Sequence, residues 1–215
     1  MNIKTPLIIC ILSSLGTLLG SVLVFIPNIN KILNKRLIMT ISGIILLLIT
    51  ILDILPENLF NILKYNNIVY PIIIFLLGII TITILDKQIN ENNIYSRVGI
   101  LNFIAILLHN IPEGIATFIT SLYNYNLGIK LGITILIHNI PEGLLIMLPH
   151  SINHKKRRGL LLSLIASISE PIGGILFYIL FKNNLNELTI NYILIYVSGL
   201  MITLGINNIV SSKNL

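Results

Sequence analysis

The chain has 215 residues, 55% of them hydrophobic and 10% charged, with a mean hydropathy of +0.93 and a formal net charge of +6. That balance excludes a water-soluble globular domain and a disordered polar chain, and it points to a polytopic membrane protein. The single cysteine, Cys10, excludes an internal disulfide framework and a cysteine-built zinc site.

Seven apolar stretches of the ~20 residues needed to cross a bilayer follow one another. They run over 6–26, 37–56, 68–86, 99–122, 127–149, 159–181 and 190–210. The predicted fold is all-α, a polytopic membrane helix bundle of about seven transmembrane helices, with residues 1–215 as one transmembrane domain. The first stretch has one basic residue ahead of it, Lys4, exceeds the length of a signal-peptide core and lacks a small-residue cleavage site, so it reads as a retained helix. Gly16 and Gly20 stand four apart in it, a spacing shared by many close helix contacts in membranes.

Charge is divided unevenly between the short loops. Lys31, Lys35, Arg36, Lys87, Arg97, Lys155, Lys156, Arg157, Arg158 and Lys213 fall on one side, and only Lys4, Lys64, Lys130 and Lys182 on the other. The positive-inside rule then places the N-terminus outside or in a lumen and the C-terminus in the cytosol. Read this way, the basic balance marks topology and not a nucleic-acid partner.

The fourth and fifth stretches carry the same hexapeptide, His109-Asn110-Ile111-Pro112-Glu113-Gly114 and His138-Asn139-Ile140-Pro141-Glu142-Gly143. Ionisable residues at membrane depth are costly and mark functional sites by default. On a helix, His and Glu four apart and Asn and Glu three apart share one face. Proline removes an amide hydrogen and loosens the ladder near Leu108 and Ile137, which membrane helices tolerate beside a polar cavity or a protein neighbour. A few residues around Tyr123–Leu127 join the two stretches, so they are expected to be antiparallel neighbours with both motifs at one depth. Facing each other, they would set His109, Glu113, His138 and Glu142 around one metal, with Asn110 and Asn139 beside the shared carboxylates for a second. Imidazole, carboxylate and amide oxygen together suit a first-row divalent ion. The sixth stretch adds Glu170 in Ser169-Glu170-Pro171-Ile172-Gly173-Gly174. No Lys or Arg stands at mid-depth to pair with it, so a metal or a proton is its expected partner. Asp53, three residues before Pro56, is a candidate for admitting metal, with Lys64 or water as the alternative partner. His150, just past Pro149, is a candidate for receiving metal on the cytosolic side, with simple hydration as the alternative.

The paired hexapeptide, the following Leu144-Leu145-Ile146-Met147-Leu148-Pro149 and the Ser169–Gly174 stretch resemble the fourth, fifth and sixth helices of the ZIP (Zrt/Irt-like) metal transporters, in their GufA/ZupT-like branch. Ile41-Ser42-Gly43 with Asp53-Ile54-Leu55-Pro56-Glu57 is similar to that branch's second helix. The resemblance implies a transporter, not an enzyme, moving zinc, or iron or manganese, into the cytosol as its cargo, with no prosthetic group. It implies a binuclear site: one metal on His109, Glu113, His138 and Glu142, the other on Asn110, Glu113, Asn139, Glu142 and Glu170. Expected partners are the divalent ion and the lipid bilayer of a plasma or organelle membrane, with a homodimer allowed and no nucleic acid.

The chain also departs from that pattern. The family has eight helices as three, two and three; here Val197-Ser198-Gly199-Leu200-Met201 resembles the start of the seventh, and the eighth is expected to be missing. Asn207 and Asn208 stand where relatives have an acidic residue, and the His-rich cytosolic loop is replaced by Asp86–Arg97, which contains no histidine. Two alternatives stay open, a metal-selective channel and a non-transporting relative. A membrane metallohydrolase fits less well, because its chemistry wants two His four apart with Glu beside the first, and no stretch has that spacing.

Overall fold

A computed structural model describes residues 3–26, 35–64, 68–89, 91, 93–181 and 187–213. Within these, the chain forms α1 (Lys4–Leu23), α2 (Lys35–Ile49), a π-helical turn (Thr50–Ile54), α3 (Leu55–Leu63), α4 (Val69–Gln88), α5 (Ile94–Tyr123), α6 (Tyr125–Ile152), α7 (Lys156–Phe181) and α8 (Glu187–Ser212). Seven helical spans among the described residues are long and apolar enough to cross a membrane, α2 and α3 supplying one between them. The second span runs on to Leu63, past the end expected at residue 56; Pro56 follows directly on a π-helical turn, Thr50–Ile54, which accommodates the missing N–H without ending the helical run. The π turn just before it holds Asp53, whose side chain lies outside the described residues, as do Lys31 and Lys182 of the charge pattern.

The polarity is inverted relative to a water-soluble protein. On α1 the hydroxyls of Ser13, Ser14, Thr17 and Ser21 are buried, while Ile8, Leu12, Leu15 and Leu19 face outward. An apolar exterior matches lipid, and the buried hydroxyls of Ser13, Ser14 and Ser21 donate to acceptors inside the bundle.

Two groups of helices pack within themselves. One contains α1, α5, α6 and α7, with α1 along α6 and α5 along α7; the other contains α2, α3, α4 and α8, with α8 against both α2 and α4. The glycines draw the same division. A Cβ on Gly16 or Gly20 would meet the backbone of Leu136 or Ile140 in α6, and one on Gly114 would meet Glu170 in α7. In the second group, Gly78 lies against Gly199 and Gly43 against Gly205. Among the described residues, none of the 14 glycines makes its closest approach across the boundary between the two groups. Backbones touch inside each group, whereas aliphatic side chains such as Leu46, Leu101, Leu200 and Leu204 meet at the seam. Small residues let backbones approach closely within each group, and longer side chains keep the groups apart at the seam.

Candidate metal centre

Asn124 alone separates α5 from α6. Its extended backbone ends the first helix, and its side-chain oxygen accepts the Leu127 amide at the start of the second. His109 lies 15 residues before it and His138 14 after it, so the antiparallel helices bring both hexapeptides to one depth.

The side chains converge there. His109 Nε2 is 3.0 Å from Glu113 Oε1 and 3.6 Å from Glu142 Oε1, while His138 Nε2 is 3.9 Å from Glu113 Oε1 and 3.6 Å from Glu142 Oε1. Nitrogen and oxygen therefore alternate around a square. The imidazole centroids are 5.7 Å apart. Ligand atoms of His109, Glu113 and His138 all fall within 4.8 Å of one another, the spacing that one cation can bridge. Both Glu142 oxygens and His109 Nδ1 are buried without a hydrogen-bond partner. Buried polar atoms in that condition are unfavourable unless something else satisfies them, and a divalent ion suits this donor set.

The two asparagines and Glu170 form a layer beside the square. Asn110 Nδ2 donates to the Ala166 carbonyl at 2.9 Å and Asn139 Nδ2 to the Ser13 carbonyl at 3.3 Å, leaving both side-chain oxygens buried and unpartnered. Asn139 Nδ2 also donates to Glu170 Oε2 at 2.9 Å, and the Ser13 hydroxyl donates to Glu170 Oε1. Three neighbouring carboxylates repel unless a cation or protons intervene.

Ser13 escaped the sequence reading. It lies nearly a hundred residues before the motif on a helix that is apolar overall; the run Ser13, Ser14, Gly16, Thr17, Gly20 and Ser21 was the available signal. Its contacts repeat those of α7. Asn139 reaches the Ser13 carbonyl as Asn110 reaches that of Ala166, and Gly143 backs onto the Thr17 carbonyl as Gly114 backs onto that of Glu170. α1 thus stands to α6 as α7 stands to α5, with Thr17 in the place of Glu170, so the third carboxylate enters from one side only. Replacing Ser13 by alanine removes a donor that orients Glu170, and zinc affinity of the purified protein is expected to fall ~10-fold, the low end for a residue that positions a ligand. Calorimetry on Ser13→Ala and on Ser13→Thr, which keeps the hydroxyl, checks this; equal weakening in both would assign the effect to packing.

His109, Glu113 and His138 of the square line the floor of a cavity of about 600 Å³ that extends between the two helix groups, with Glu142 buried behind them. Glu57, Asn58 and Asn61 of α3 and Asn191 of α8 line it, together with Thr120, Tyr123 and Thr134 at the Asn124 end of α5 and α6. Sequence reading singled out Asp53 on this span and passed over Glu57, one helical turn further on. His150 is not brought to the square. Its ring is buried against Gly99 and Gly159 with Nδ1 2.9 Å from the Ile146 carbonyl, near the opposite helix ends.

The fold and the site define an integral membrane protein that holds a His–Glu cluster at mid-depth, below a cavity that polar and apolar side chains line together. The chain belongs to the ZIP zinc transporter family, whose sequence model matches residues 86–212, and within it is ZupT-like. It is 30% identical to the zinc transporter ZupT of Stenotrophomonas maltophilia across 97% of this chain and 85% of that protein. It is 29% identical to the ZupT of Escherichia coli over 96% of this chain and 85% of that protein. Over 53% of this chain and 40% of the relative, identity to the ZupT of Clostridium perfringens reaches 41%. Membership places the chain among membrane transporters and not among enzymes.

Proposed function

We propose that the whole chain, residues 1–215, is one transmembrane domain that carries a divalent cation, zinc first, toward the cytosol by alternating access. The observation that carries this is the buried square of His109, Glu113, His138 and Glu142 beneath a cavity reaching one end of the bundle. Zinc is preferred because the relatives are named zinc transporters, while the mixed nitrogen and oxygen donors also suit iron or manganese. A second cation would take Asn110, Asn139 and Glu170 together with the shared Glu113 and Glu142. The cavity lies at the end with few basic residues, so metal arrives from the outer or luminal side, with the N-terminus on that side and the C-terminus in the cytosol. Sliding of the two helix groups along their seam would then expose the square to the other side.

Purified protein in liposomes should take up zinc saturably. Protons compete for imidazole and carboxylate, so affinity is present at neutral pH and lost on acidification. The KM for zinc is expected to be at least several-fold higher at roughly pH 5.5 than at pH 7.5. Single-channel currents would replace the carrier by a channel, and a KM flat across this range would remove the square from the path.

A further inference from the structure

At the end of the bundle away from the cavity, polar contacts among the described residues cross the seam at two places. The first is buried. Pro149 has no N–H, which leaves the Leu145 carbonyl free, and Asn102 Nδ2 donates to that carbonyl at 2.9 Å. The oxygen of the same carboxamide accepts from Asn208 Nδ2 at 3.1 Å, so a chain of hydrogen bonds runs from α8 through α5 to α6. Asn102 and Asn208 are 0% and 1% exposed, in the apolar layer of Leu101, Leu145, Leu200 and Leu204. Asn102 lies seven residues from His109, or ~10 Å along the helix toward the basic loops.

The second contact lies at the surface. Arg97 Nε on α5 is 2.7 Å from Asp86 Oδ1 on α4, and Arg97 Nη2 donates to the Asp86 carbonyl. Next to it, Arg158 of α7 holds Glu91, in the link between α4 and α5, at 2.7 Å. The Arg158 hydrogen bond keeps the Glu91 carboxyl below the usual carboxylate range, so that link stays charged at neutral pH.

We propose that Asn208–Asn102 and Asp86–Arg97 form the inner gate of the metal path, holding the two helix groups together below the square and parting when the path opens toward the basic loops. The placement carries the argument. Both contacts join groups that share no close glycine approach, both lie on the far side of the square from the cavity, and the buried pair stands within an otherwise aliphatic seam. A buried amide–amide bond inside such a seam must be remade or hydrated whenever the groups shift, and so selects one arrangement. The proposal rests on the alternating-access reading above.

The test is a labelling experiment in sealed vesicles. Cys10→Ser removes the native thiol, and Thr134→Cys places a reporter in the cavity, read with a membrane-impermeant maleimide. Breaking the gate should favour the state open to the other side, slowing Thr134→Cys labelling by roughly 2- to 10-fold with Asn208→Leu and by at least ~2-fold with Asp86→Arg. The double swap Asp86→Arg with Arg97→Asp should restore the rate, which a merely destabilised protein would not do. Unchanged labelling in both single variants, or failure of the swap to restore it, overturns the gate. A Lys155→Cys reporter on the same vesicles reads orientation independently. Its labelling on the side opposite to Thr134→Cys is expected; labelling from one side would refute the assigned topology while the slowing still decides the gate.

Discussion

Replacing Glu113 by alanine is expected to abolish zinc uptake, and His138→Ala to do the same. Glu113 Oε1 lies 3.0 Å from His109 Nε2 and 3.9 Å from His138 Nε2, and the carboxylate is shared by both proposed metal positions, so its loss removes an oxygen from each. His138 supplies one of only two imidazoles in the square; without it, a zinc ion keeps one nitrogen and two carboxylates and is one ligand short. Removing a residue that merely orients a ligand costs ~10–100-fold in affinity, so removing a ligand should cost at least ~100-fold. The measurement is zinc accumulation in a strain lacking its own importers, alongside zinc binding by purified protein. Glu113→Gln keeps the volume and removes the charge, and should be as inactive as Glu113→Ala; normal uptake by Glu113→Ala or His138→Ala would sink the site assignment.

Gly143→Val is expected to prevent the protein from accumulating in folded form, although it alters no ligand. A Cβ at Gly143 would run into the Thr17 carbonyl and crowd the Ser21 backbone, and the Gly143 carbonyl already accepts the Ser21 hydroxyl at 3.2 Å. The obstacle is backbone on both sides, so no side chain can turn away to make room. Relief requires separating α1 from α6 along their length, which pulls Ser13 off Glu170 and Asn139. Overpacking of this kind costs ~3 kcal/mol or more, a large share of a protein's marginal stability. Yield after detergent extraction and thermal unfolding of the purified protein measure it, with Val22→Leu on the outward face of α1 as an unaffected comparison. A Gly143→Val protein as stable as the parent would mean that α1 does not cross α6 here.

The spans were legible in the sequence, and so was the convergence of the two hexapeptides. Apolar runs of bilayer length leave the backbone no option but helix, and a duplicated His-Asn-Ile-Pro-Glu-Gly around a short turn fixes depth, face and ligand chemistry by local geometry alone. The family resemblance drawn from those residues agrees with the family match and the curated relatives. What the sequence left open is the pairing of helices that carry apolar residues on every side. Such helices show no periodicity that names the partner face, so nothing local could say that Ser13 of α1 would reach Glu170, that Thr17 would occupy the mirror position to it, or that Glu57 would line the cavity. Nor could it assign Asn208, read first only as a departure from an acidic family position, to the far side of a hydrogen bond with Asn102. Those placements depend on where glycines allow backbones to meet and where longer side chains keep two groups apart. That is a property of pairs of helices remote in the chain, and only the packed bundle decides it.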